Sequence, residues 1–77
     1  MSSTLDKLRR IVARRADCDE EEINLETILS ELRIDSLDWV QIIATVEGTF
    51  NVEIDIERMS DFGTIADLVD YIDSHTS

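Results

Sequence analysis

Leu5, Leu8, Ile11 and Val12 recur at three- and four-residue spacing, and the same rhythm returns in Trp39, Val40, Ile43, Val46 and Phe50, then in Ile65, Leu68, Val69 and Ile72. Such spacing lines one side of a helix with apolar side chains. The chain must therefore fold by laying helical stripes against one another. Its 77 residues suffice for one domain of this kind and are too few for the core of a barrel or a doubly wound sheet. Residues 1–77 are read as a single domain.

The boundaries follow from local chemistry. Ser3 and Asp6 have capping-box spacing at the start of a first helix over 4–15. The run Asp17-Cys18-Asp19-Glu20-Glu21-Glu22 crowds like charges and reads as loop. Leu25, Ile28, Leu29, Leu32 and Ile34 are expected to anchor a long connection over the core, with a helical turn around 26–31. Asp35 can cap a second helix that starts at Ser36 and runs to residue 50, with Asp38 in its first turn. Its apolar arc is widened by Leu37, Ile42 and Ala44, and Asp38, Gln41, Thr45 and Gly48 form the opposite stripe. Val52 to Ile56 alternates like a strand but has no ladder partner, so it reads as an extended connection into a short helix near 56–61. Gly63 breaks the chain, and Thr64 with Asp67 can cap the last helix. Ser74 to Ser77 is expected to fray, with His75 an ordinary surface histidine. The fold class is all-α: a small four-helix bundle with a long first connection and a short third helix.

Charge narrows the function. With 18 Asp and Glu against 7 Lys and Arg, the formal charge is −11, which repels nucleic acid and suits basic protein partners. Five of the basic residues, Lys7, Arg9, Arg10, Arg14 and Arg15, fall in the first helix, where they form a solvated face, pack across the acidic body, or serve a second contact surface. No stretch has the length of a membrane span or the pattern of a signal peptide. A lone Cys18 fits a reduced, cytoplasmic setting, and with His75 the only histidine there is no zinc-like cluster. Counted from Asp17, Glu22 and Ile28 stand where a calcium loop needs glycine and glutamate, so no metal is expected. No nucleophile–base pair is present, and the acidic neighbours of Cys18 raise a thiol pKa.

Ser36 is the residue that remains. A serine at a helix start is ordinarily a cap or a solvent contact. Here Asp35-Ser36-Leu37 offers an accessible hydroxyl, a fixed backbone and, in Leu37, an apolar anchor, as a point of covalent attachment requires. A phosphodiester on Ser36 would suit the helix start electrostatically.

The sequence Asp35-Ser36-Leu37-Asp38, followed by Val40, Glu47, Phe50, Val52-Glu53-Ile54, Thr64-Ile65 and Tyr71-Ile72, resembles the acyl carrier proteins of the phosphopantetheine-binding family over essentially its whole length. The resemblance implies an acyl-carrier-like bundle and a noncatalytic role; a monomer is the default expectation. A phosphopantetheinyl transferase would use coenzyme A to place a 4'-phosphopantetheine arm on Ser36, with Asp35 assisting recognition. The arm would hold acyl intermediates as thioesters for lipid, fatty acid or polyketide biosynthesis. The resemblance further implies that Asp38, Gln41, Glu47, Glu53 and Glu57 meet basic-surfaced partner enzymes, and that Ile43, Val46, Ile54, Ala66 and Leu68 line a cargo channel.

Several residues depart from the family pattern. Gln41 replaces a glutamate, Gly48 removes an acidic contact, Arg33 adds positive charge ahead of Asp35, Trp39 is bulky, and Asp55 stands where proline is usual. These departures keep an aminoacyl or peptidyl carrier as an alternative, and a nonmodified acidic interaction module as a further one.

Overall fold

The computed structural model describes residues 3–75, with side chains from Thr4 onward. The side chain of Ser3, and with it the expected first capping box, lies outside the described residues, as do Thr76 and Ser77. Among the described residues three α-helices form the frame: α1 (Ser3–Ala16), α2 (Ser36–Phe50) and α3 (Ile65–His75). A six-residue 3₁₀ segment, Ile56–Asp61, is the short helix between α2 and α3. The fold is the expected all-α bundle of four helices. Single 3₁₀ turns at Glu20–Glu22 and Leu29–Glu31 punctuate the long first connection.

The first of these turns lies inside the acidic run that reads as loop. Its like charges are accommodated because the Asp19 N–H donates to Glu22 Oε2 at 3.0 Å, which offsets the crowding over one turn. Helix ends use left-handed residues that the apolar pattern does not reveal. Asp17 (φ 56°) follows α1 and Asn51 (φ 56°, ψ 49°) ends α2, and the short polar side chains of Asp and Asn tolerate that conformation. At the other end, α3 continues through Ser74 and His75, correcting the expected fraying there. The His75 ring stacks on Tyr71 with centroids 4.0 Å apart, and its Nδ1 donates to the Tyr71 carbonyl at 2.8 Å.

The core contains Leu8 and Val12 of α1, Ile42 and Val46 of α2, and Ile65, Leu68 and Ile72 of α3, all fully buried, with Ile23 from the connection. Two residues of the expected α2 arc face outward. Leu37 is 75% exposed and Val40 51%, because they stand roughly 140° and 160° around the helix from Ile42. Leu37 is therefore not the buried anchor that its apolar side chain suggests. Leu25 and Ile28 are likewise exposed, so they do not hold the connection by burial; Leu29 is buried, and Leu32 and Ile34 pack against the core.

Backbone bonds hold the connection instead. The first amides of a helix have no partner within it. Here Ile65 N–H donates to the Thr27 carbonyl and Ala66 N–H to that of Leu25, both at 2.9 Å. The Leu29 N–H donates to Gly63 at 3.0 Å, and Ile28 faces Thr64 in an isolated antiparallel bridge. The expected cap on α3 also forms: Asp67 Oδ2 accepts from Gly63 N–H at 2.8 Å and from Thr64 N–H at 3.1 Å. The connection thus reaches Ser36 already fastened to α3.

Candidate functional site

Ser36 is the first residue of α2, and it is exposed. Asp35 precedes it with extended backbone (φ −85°, ψ 178°), and its Oδ1 accepts from the Asp38 N–H at 2.8 Å while its carbonyl accepts from Trp39 N–H at 3.0 Å. The cap fixes the backbone on both sides of the serine. It also leaves the hydroxyl at the positive end of a 15-residue helix, where an anionic substituent is favoured.

Beside Ser36 opens a cleft of ≈ 410 Å³. Leu29 and Ser30 of the connection form one wall. Ser36, Trp39 and Val40 line it from α2, and Ile56, Met59, Ser60 and Phe62 line it from the segment ahead of α3. Exposed Val40 and Ile56 put apolar surface at its edge. The cleft thus joins the exposed serine hydroxyl to apolar surface.

The residues expected from the sequence to line a cargo channel lie elsewhere. Ile43, Val46, Ile54 and Leu68 are buried in the core and Ala66 is partly buried; none borders the cleft at Ser36. Ile54 edges a separate depression with Glu47, Glu53, Asp55, Arg58 and Tyr71. Sequence reasoning largely missed the set beside Ser36. Trp39 carried the only signal, as a bulky residue one turn from the serine; the contributions of Met59 and Phe62 depend on how the 3₁₀ segment folds back.

The acidic candidates divide by environment. Asp38 is half-buried, with Oδ1 3.9 Å from Arg15 Nη1. Gln41 is exposed, and its carbonyl accepts from Thr45 Oγ1 at 2.9 Å. Glu47 is engaged within the fold, where its Oε2 accepts from the Ile54 N–H at 2.9 Å and joins α2 to the segment that follows. Glu53 and Glu57 are exposed; the carbonyl of Glu53 accepts from Tyr71 Oη at 2.9 Å. Cys18 lies away from this cleft, in a depression with Arg10, Arg14 and Glu20. Loss of solvation, then the charges of Glu22, Asp19 and Asp17, push its thiol pKa up, as the acidic neighbourhood suggests.

Compared with known proteins, residues 6–72 match the phosphopantetheine attachment site family. The chain belongs to the phosphopantetheine-binding, acyl-carrier family. Members of this family are noncatalytic carriers. Acyl carrier proteins of Lactococcus lactis subsp. cremoris (strain MG1363) and Clostridium perfringens (strain SM101 / Type A) are each 40% identical to it. The first covers 95% of this chain and 97% of its own length, the second 92% and 95%. The solution structure of a holo acyl carrier protein from Geobacter metallireducens superimposes with a TM-score of 0.76 at 24% identity, covering 96% of this chain and 86% of that one. That likeness establishes the carrier fold.

Proposed function

We propose that this chain carries acyl intermediates as thioesters on a 4'-phosphopantetheine arm joined to Ser36, and presents them to lipid or polyketide biosynthetic enzymes. The observation that carries this reading is an exposed serine at the capped start of α2, at the edge of an apolar cleft. The residues fit the group. The Ser36 hydroxyl is accessible to a transferase, the helix start favours the linking phosphate, and the cleft gives the cargo a place out of water. The arm, when attached, supplies a terminal thiol for thioester chemistry. The protein's own part is to hold the attachment point rigid, shelter the cargo and offer a recognisable surface.

Coenzyme A would be the donor and a phosphopantetheinyl transferase the first partner, with Asp35 assisting recognition. The net charge of −11 supports later partners with basic surfaces, which Asp38, Gln41, Glu53 and Glu57 would meet, with Glu47 contributing from the α2 side. Asp38, two residues after Ser36, is the nearest of these along the chain. A cytoplasmic monomer fits the unpaired Cys18, and among the described residues no helix is long and apolar enough to cross a membrane.

Intact mass before and after incubation with coenzyme A and a broad phosphopantetheinyl transferase tests the reading. One added phosphopantetheine is expected on the natural sequence and none on Ser36→Ala. A loaded Ser36→Ala variant, or an unmodified serine in active protein from the source cell, would refute it. The cargo recovered from that source decides the class, since an amino acid on the arm would replace the acyl reading with the aminoacyl one.

A further inference from the structure

Helix α1 is a basic element on an acidic protein: Lys7, Arg9, Arg10, Arg14 and Arg15 stand against the single Asp6, within a chain of formal charge −11. Arg10 and Arg14 are one turn apart and repel each other along the helix. Arg14 and Arg15 gain from the carbonyl end of α1, but Arg10 does not. Internal ion pairing uses these guanidinium groups weakly. Arg10 Nε is 3.7 Å from Glu20 Oε1 and Arg15 Nη1 3.9 Å from Asp38 Oδ1, both longer than a charge-assisted hydrogen bond. The Arg10–Glu20 pair is exposed and the Arg15–Asp38 pair is still partly open to solvent, where such contacts contribute little.

The three arginines share a depression of ≈ 190 Å³ with Ile11 and with Thr45 of α2. Half-buried Ile11 gives it an apolar floor. Thr45 gives it a wall on the very stripe of α2 that holds Asp38 and Gln41, and Arg15 reaches over to Asp38. The depression is therefore continuous with the face proposed above to meet partner enzymes.

We propose that this flank of α1 is a second docking surface, which receives a carboxylate-bearing segment of the enzymes that act on the group at Ser36. The inference rests on the carrier reading. Planar guanidinium forks match carboxylates, and a partner carrying basic residues for Asp38 beside acidic ones for Arg10, Arg14 and Arg15 would be oriented by both signs at once. A second copy of this chain is a poor occupant, because two bodies of charge −11 repel before their patches meet. Nucleic acid is a long polyanion that extends past the arginines over the acidic body and is repelled there, whereas a short acidic segment can sit within the patch. Among basic-surfaced partners, the bipolar surface favours those with an acidic segment over uniformly basic ones, whose charges would face the arginines.

The test is titration of the ¹⁵N-labelled full chain, loaded at Ser36, with a hexaglutamate peptide, and in parallel with inorganic phosphate. Saturable amide shifts at Arg10, Ile11, Arg14, Arg15 and Thr45 are expected with the peptide, and high salt should remove them. In R10E/R14E the apparent affinity should fall about tenfold, with R10Q/R14Q intermediate and serving as the check should the reversal disturb folding. Silence at these amides, or an equal response to phosphate, would overturn the inference. Loading at Ser36 is scored by mass in the same samples. Failure to load refutes the carrier reading, whereas loading with silent α1 amides refutes only the second surface.

Discussion

Replacing Asp35 by Ala and by Asn separates two roles that meet at one carboxylate. In Asp35→Ala the Asp38 N–H loses its 2.8 Å acceptor at the helix that starts with Ser36. Loss of an N-cap costs about 1 kcal/mol, within a range of roughly 0.5–2. For a domain of this size each kcal/mol moves the midpoint by about 4–8 °C, so Asp35→Ala should melt about 4–8 °C lower, measured by circular dichroism on the unloaded chain. Asparagine keeps an oxygen in the capping position and removes the charge. Asp35→Asn gives up part of the favourable interaction with the helix start, about 0.3–1 kcal/mol, but also removes one negative charge from an over-acidic chain. It should lie within roughly 0.5 kcal/mol of the parent, the cap being equivalent for the two side chains. Rates of loading at Ser36 then isolate the second role. If the carboxylate itself aids the transferase, Asp35→Asn loads slowly despite its stability. An unchanged midpoint in Asp35→Ala, or an equal drop in both variants, would refute the capping argument.

Two further outcomes follow from burial and charge. Leu68 is fully buried between the helices, so Leu68→Ala should lose about 2–5 kcal/mol in urea denaturation. A loss below about 1 kcal/mol would contradict its place in a packed core and would favour the cargo-lining role suggested by the resemblance. The Cys18 thiol, raised by desolvation and by Glu22, Asp19 and Asp17, is less ionised near neutral pH than an ordinary thiol. Iodoacetamide should therefore alkylate it more slowly in the folded chain than in urea, with the rate still climbing at pH values where a free thiol has levelled off; equal rates in the two states would disprove that shift.

Much of the frame was legible because it depends on local rules. The stripe through Leu8 and Val12, the cap at Asp35, the box of Thr64 and Asp67, and the short helix after Asp55 each follow from neighbouring residues. What the sequence could not show depends on rotation and on distant pairing. Leu37 and Val40 look like core residues until the helix phase is set by Ile42 and Val46. Leu25 and Ile28 look like anchors, whereas their backbones hold the connection by bonds to α3 that no side-chain pattern encodes. For the site, Ser36 and Asp35 stand where the motif puts them. The cleft residues were not legible, since Met59 and Phe62 reach Ser36 only through the return of the 3₁₀ segment, and Glu47 gave no sign that it would bond the Ile54 amide.

The two sides of the cleft are held differently. Leu29 belongs to a segment pinned across the molecule by main-chain bonds from Leu29, Ile65 and Ala66, whereas the hydrogen bonds of Ile56–Asp61 run within residues 55–62. A hinge with one leaf bolted and one leaf merely resting yields at the resting leaf. If the cleft shelters cargo as proposed, a bulkier passenger would be accommodated by displacement of Ile56 and Met59, and the door frame at Leu29 would stay put.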